Sequence, residues 1–163
     1  MTTPDGSQRQ QRRSIRLQGY DYTQEGAYFL TVCAHNRACL FGDVIAGEMR
    51  LNDAGRLVQT AWEGLPNHYP RIELDAWVIM PNHVHGIVWI AGSGPVRAAS
   101  VGAGLKPAPT TVAATKRYGL SEIVRGFKTF SARRVNAMRG TPGTPVWQRN
   151  YYEHVIRDEA ALD

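Results

Sequence analysis

His83 and His85 stand one residue apart in Met80-Pro81-Asn82-His83-Val84-His85-Gly86-Ile87-Val88-Trp89-Ile90, and two imidazoles at that spacing on a strand can share one metal ion. Side chains at i and i+2 project from the same face of a pleated strand. Each ring must be neutral to donate a lone pair, a condition that an unperturbed imidazole meets near neutral pH. Val84, Val88 and Ile90 then form the opposite, core-facing side. Pro81 suits the second position of a type I turn and Asn82 the third, so the segment from Ile72 to Met80 is expected to fold back onto the next strand with the histidines at the mouth of the hairpin. Spacing alone is a weak signal, because short motifs also arise by chance.

The remaining reactive side chains are less patterned. Cys33 and Cys39, the two cysteines, fit neither a zinc knuckle nor a C-x-x-C redox site and read as idle thiols. His35 and His68 sit at element ends without partners. The formal charge of +5 is unevenly placed. Nine bases (Arg97, Lys106, Lys116, Arg117, Arg125, Lys128, Arg133, Arg134, Arg139) and one acid, Glu122, lie between Arg97 and Arg139, whereas the rest of the chain holds ten bases and thirteen acids. A one-signed block of this kind creates a field suited to a polyanion such as nucleic acid, the alternative being a solvated helix face.

These groups need elements to position them. With 163 residues and 43% apolar content the chain has the composition of one globular domain. It shows neither a signal core nor an apolar run long enough to span a bilayer, so the expectation is a cytoplasmic protein without membrane contact. After a polar arm, residues 1–18, the segment from Ala27 to Cys33 reads as a strand. Asn52 offers an N-cap, and Leu57, Val58, Ala61, Trp62 and Leu65 recur at helical spacing until Pro66 stops the run. Two strands follow, Ile72 to Met80 and His83 to Ile90, and then a Gly-, Ala-, Ser-, Pro- and Thr-rich insertion over residues 91–116. Leu120, Ile123, Val124 and Phe127 mark a second helix to about Met138, with Arg125, Lys128, Arg133 and Arg134 as its charged positions. A last extended segment runs from Val146 to Ile156. The order is βαββαβ, an α+β ferredoxin-like fold: an antiparallel sheet with two helices on one face. The third strand is central in that topology, so His83 and His85 should look out from the open face.

Taken in order, Tyr20-Asp21-Tyr22, Gly26-Ala27-Tyr28-Phe29, Met80-Pro81-Asn82-His83-Val84-His85-Gly86 and the run from Trp147 to Glu159 resemble the REP-associated tyrosine transposases, a branch of the HUH single-strand DNA endonucleases. The resemblance implies a domain over residues 19–163 that binds Mg²⁺ or Mn²⁺ through His83 and His85 and cuts single-stranded DNA beside a hairpin. A tyrosine would attack the phosphate while the metal acts as Lewis acid. It places that tyrosine and a third metal ligand on a helix beginning near Asp158, which this sequence leaves at Asp163, so neither is named here. Tyr151 and Tyr152 belong, by the same resemblance, to the strand before that helix. Single-stranded or hairpin DNA is the implied partner, and both monomers and dimers occur among such proteins.

Around the pair, His154 would share a face with Tyr152 and reads as a surface histidine or a neighbour of the metal. Tyr20, Tyr22 and Tyr28 suggest base stacking or core packing, and Arg12, Arg13 and Arg16 in the arm are candidate phosphate contacts. Three functions compete: a metal-dependent DNA nickase and transposase, a catalytically inactive module for structured nucleic acid, and a hydrolase of small phosphate esters. The last would need further ligands near the two histidines.

Overall fold

The computed structural model describes residues 19–92 and 116–156. The arm with Arg12, Arg13 and Arg16, most of the insertion, and the helix expected from Asp158 lie outside the described residues.

Strand β1 (Gly26–Cys33) is followed by a short turn at His35–Arg37 and by a two-stranded hairpin of β2 (Gly42–Ile45) and β3 (Glu48–Leu51). Helix α1 (Asp53–Glu63) comes next, with a short α2 (Leu65–His68), strands β4 (Ile72–Met80) and β5 (His83–Ile90), the long α3 (Leu120–Arg139) and β6 (Tyr152–Ile156). The sheet order is β4-β5-β1-β6, all neighbours antiparallel, which is the ferredoxin-like α+β arrangement with β5 and β1 central. Among the described residues no helix is long and apolar enough to cross a membrane.

Local chemistry explains most boundaries. The Asn52 side chain accepts the Gly55 amide at 2.9 Å and caps α1. Pro66 does not end a helix here. α1 stops before Gly64, and Pro66 sits in the first turn of α2, where a missing N–H costs nothing. The β2–β3 hairpin escaped the sequence pattern because each strand has only 4 residues and β2 does not alternate. The final extended segment is also shorter than expected. Trp147 makes a single bridge to Ala34, and regular pairing begins at Tyr152. Its interval is instead held by Gln148 N–H donating to the Cys33 carbonyl and His35 N–H to the Val146 carbonyl.

Both long helices cover one sheet face. Val84 and Val88 are fully buried beneath them with Tyr28, Leu30, Val32, Val58, Trp62, Ile123 and Phe127, and burial of each valine contributes roughly 1.5–3 kcal/mol. A one-residue slip of β5 would forfeit that gain and drive the histidines into the core, so the hydrophobic set pins their orientation. Gly86 lies on the same buried face directly under the Trp62 ring, where an added Cβ would stand 2.4 Å from the indole and 3.0 Å from the Trp77 Cβ. Trp62 is itself 1% exposed and unable to retreat. Gly86→Ala is therefore expected to destabilise the fold by about 1–3 kcal/mol through overpacking. Urea unfolding measures this, and an unchanged midpoint would contradict the packing described.

Candidate metal and nucleic-acid site

β5 alternates strictly between half-buried or exposed residues at His83, His85, Ile87 and Trp89 and buried ones at Val84, Gly86, Val88 and Ile90. His83 and His85 thus project together from the open face, as the sequence pattern predicted, with ring centroids 4.4 Å apart and planes 76° to one another. Across the sheet, Val78, His85, Thr31 and Tyr152 form one row, and Met80, His83 and Cys33 the next.

Each ring is oriented through Nδ1. Asn82 Oδ1 lies 2.6 Å from His83 Nδ1, and Asn82 Nδ2 donates to the Arg37 carbonyl at 3.3 Å, which fixes the amide oxygen toward the ring. An amide oxygen only accepts, so His83 carries its proton on Nδ1 and presents the Nε2 lone pair. The turn holding Asn82 is clamped in turn: Ala34 N–H donates to its carbonyl and Phe41 N–H to that of Pro81. Thr31 Oγ1 lies 2.8 Å from His85 Nδ1, and Phe29 stacks on the same ring with centroids 5.4 Å apart. Burial pushes the His83 pKa below the ordinary imidazole value and the adjacent His85 adds to this. Burial also lowers the His85 pKa, opposed by its ring interaction with the Leu30 backbone, which favours the protonated form. Both shifts favour the neutral, metal-competent rings. Thr31 and Phe29 carry no signal in the sequence. Only the register of β1 against β5 brings them to the pair.

The fit to a metal is partial. Among the described residues no group of three His, Cys, Asp or Glu side chains is placed to hold an ion, so two imidazole nitrogens are what those residues offer there. Mg²⁺ takes oxygen ligands in octahedral geometry, and Mn²⁺ tolerates nitrogen better and stands low in the divalent affinity series. Two nitrogens suit a weakly held ion completed by water or phosphate oxygens.

Other predicted residues separate. His154 is on the open face but level with Phe29, one row along from His85. His68 stacks on Phe130, centroids 5.2 Å apart, and His35 is exposed in the turn after β1. Tyr28 is fully buried, its hydroxyl donating to the Gln24 carbonyl, while Tyr20 and Tyr22 pack partly buried against it. The basic residues of α3 do not form one stripe. Arg125, Arg133 and Arg134 are exposed, but Arg125 and Arg134 are nine residues apart, about two and a half turns, and so point from opposite flanks of the helix. Arg134 faces α1 near Arg56 and Asp53, whereas Arg125 and Lys128 face the segment 144–151. Lys128 is committed within the fold, its ammonium donating to the Gln148 and Arg149 carbonyls at 2.5 and 3.0 Å, and burial lowers its pKa.

No family model matches the sequence. The fold is similar to the structure of a REP-associated tyrosine transposase bound to a REP hairpin, with a TM-score of 0.53 and 19% identity over 91% of this chain. This chain spans 65% of that protein's length. It is similar also to the crystal structure of a Deinococcus radiodurans R1 protein provisionally designated a transposase, with a TM-score of 0.51 and 16% identity over 90% of this chain and 89% of the other. In sequence, an uncharacterized protein of Haemophilus influenzae strain Rd is 42% identical over 98% of this chain and 86% of its own length. At that identity and coverage the chain belongs to the same family as the Haemophilus influenzae protein, on a ferredoxin-like fold shared with transposase structures.

Proposed function

We propose that this protein is a transposase-type DNA-binding module whose open sheet face holds a divalent cation, Mg²⁺ or Mn²⁺, at His83 and His85 and receives a single-stranded or hairpin-flanking DNA phosphate there. The reading rests on one observation: two imidazoles tied through Nδ1 and aimed together from the sheet face that α1 and α3 leave open. When bound, the ion would supply Lewis-acid stabilisation of charge on a phosphate oxygen. His83 and His85 hold it, Asn82 and Thr31 keep the rings in register, and the exposed arginines of α3 supply attraction to the polyanion. The same arrangement would serve cleavage and rejoining through a phosphotyrosine, and we assign no nucleophile among the described residues. A cytoplasmic setting accords with this partner.

A binding module without chemistry is the second reading, favoured by the two-ligand metal site. The test is anisotropy titration of a fluorescein-labelled DNA hairpin with a single-stranded tail. Binding should tighten on adding 1 mM-scale Mn²⁺ and weaken steeply as NaCl rises, because phosphate contacts release counterions. Affinity that ignores both would overturn the reading, and a covalent adduct with DNA would favour the catalytic form over the binding module.

A further inference from the structure

The segment between α3 and β6 walls a groove of about 490 Å³ against the helix. Its position is fixed by four hydrogen bonds: Trp147 Nε1 donates to Ser131 Oγ at 2.9 Å, Asn136 Nδ2 to the Thr144 carbonyl at 2.8 Å, and Lys128 Nζ to the Gln148 and Arg149 carbonyls. Arg125, from the helix, and Arg149, from the segment, both line the groove, and both residues are exposed. Ser121 and Thr129 add hydroxyls on the helix wall, and no acidic side chain is among the described lining residues. The described lining therefore carries a positive potential.

The groove also leads somewhere. Gln148 N–H bonds the Cys33 carbonyl at 2.9 Å, and Cys33 is the strand partner of His83. The rim at Gln148 and Arg149 is therefore next to the histidine end of the open sheet face, while Arg134 lies on the far flank of α3. Arginine forks pair bidentately with phosphate oxygens, and two of them on facing walls can hold one backbone.

We propose that Arg125 and Arg149 form a phosphodiester site for a single DNA strand running between this groove and the histidine pair, with Lys128 as a positioning residue that fixes the Arg149 backbone. This rests on the DNA-binding reading above and names part of its contact surface. Arg149 was outside the basic block of the sequence, and Lys128 is reassigned from phosphate contact to brace.

The experiment uses the full chain and the fluorescein-labelled tailed hairpin with Mn²⁺ present, titrated at several NaCl concentrations. Arg125→Ala/Arg149→Ala should weaken binding on the order of ten-fold and reduce the slope of log affinity against log salt by about 1.4, roughly 0.7 per single-strand phosphate contact. Arg125→Lys/Arg149→Lys should keep most of the slope, since it keeps the charge. Arg56→Ala, on the exposed face of α1, should change neither. Both altered arginines are exposed, so unfolding midpoints should match the parent, and the lysine pair reports on the groove should the alanine pair fail to fold. A parent that binds tightly with an alanine pair of equal affinity and slope overturns the groove proposal alone, as does a lysine pair that loses the slope. A parent that does not bind the DNA overturns both it and the proposed function.

Discussion

His85→Ala should remove the Mn²⁺ binding proposed at His83 and His85, a loss larger than the ~10–100-fold that removal of a supporting partner costs. One of the two imidazole nitrogens that the described residues offer disappears, and a lone imidazole does not chelate. The effect should be confined to the ion: His85 is half-buried on the open face, away from the packed side of β5, so the unfolding midpoint should move little. Asn82→Ala is the graded comparison. It leaves both rings but frees His83 Nδ1 and the tautomer it sets, and affinity should fall by about 10–100-fold. Titration calorimetry or the electron-spin resonance of free Mn²⁺ reads both. A His85→Ala protein that retains parental Mn²⁺ affinity would mean the imidazoles are ordinary strand residues.

Trp147→Ala should have the largest effect on stability, about 3–5 kcal/mol. The indole is 7% exposed, packs between Phe41 and Phe127 with centroids 4.9 and 5.3 Å away, and donates to Ser131. Its removal leaves a cavity at the junction of β1, α3 and the segment 144–151, together with a buried hydroxyl that has lost a donor. Small domains have only about 5–15 kcal/mol in total, so the variant should unfold at markedly lower urea. A loss under about 1 kcal/mol would mean that the segment is not part of the core. Because the same ring fixes the groove wall, the variant should also bind tailed hairpin DNA less tightly at temperatures where it is still folded.

How much of this could be read from residues alone follows from how local each determinant is. The alternation of β5 and the apolar spacing of α1 and α3 are near-neighbour patterns, and they yielded the element order, the buried valines and the outward histidines. The β2–β3 hairpin did not show, because strands of 4 residues are too short for their pattern to stand out, and β2 has no alternation. The segment from Val146 also looked like one strand, since apolar and aromatic content does not distinguish a residue paired in a sheet from one packed against a helix.

The basic helix shows the same limit. Composition counted its cations, but their directions depend on which flank packs against the core. Phe127, Ser131 and Val135 set that flank and so sent Arg125 and Arg134 apart and turned Lys128 inward. Hydrophobic periodicity, which acts through neighbours along the chain, was enough to place two imidazoles on one sheet face. The Thr31 hydroxyl beside His85, the Arg37 carbonyl that holds Asn82 beside His83, the Arg125–Arg149 groove and the bracing role of Lys128 join residues far apart in sequence, and only packing of β1, β5, α3 and the closing segment brings those together.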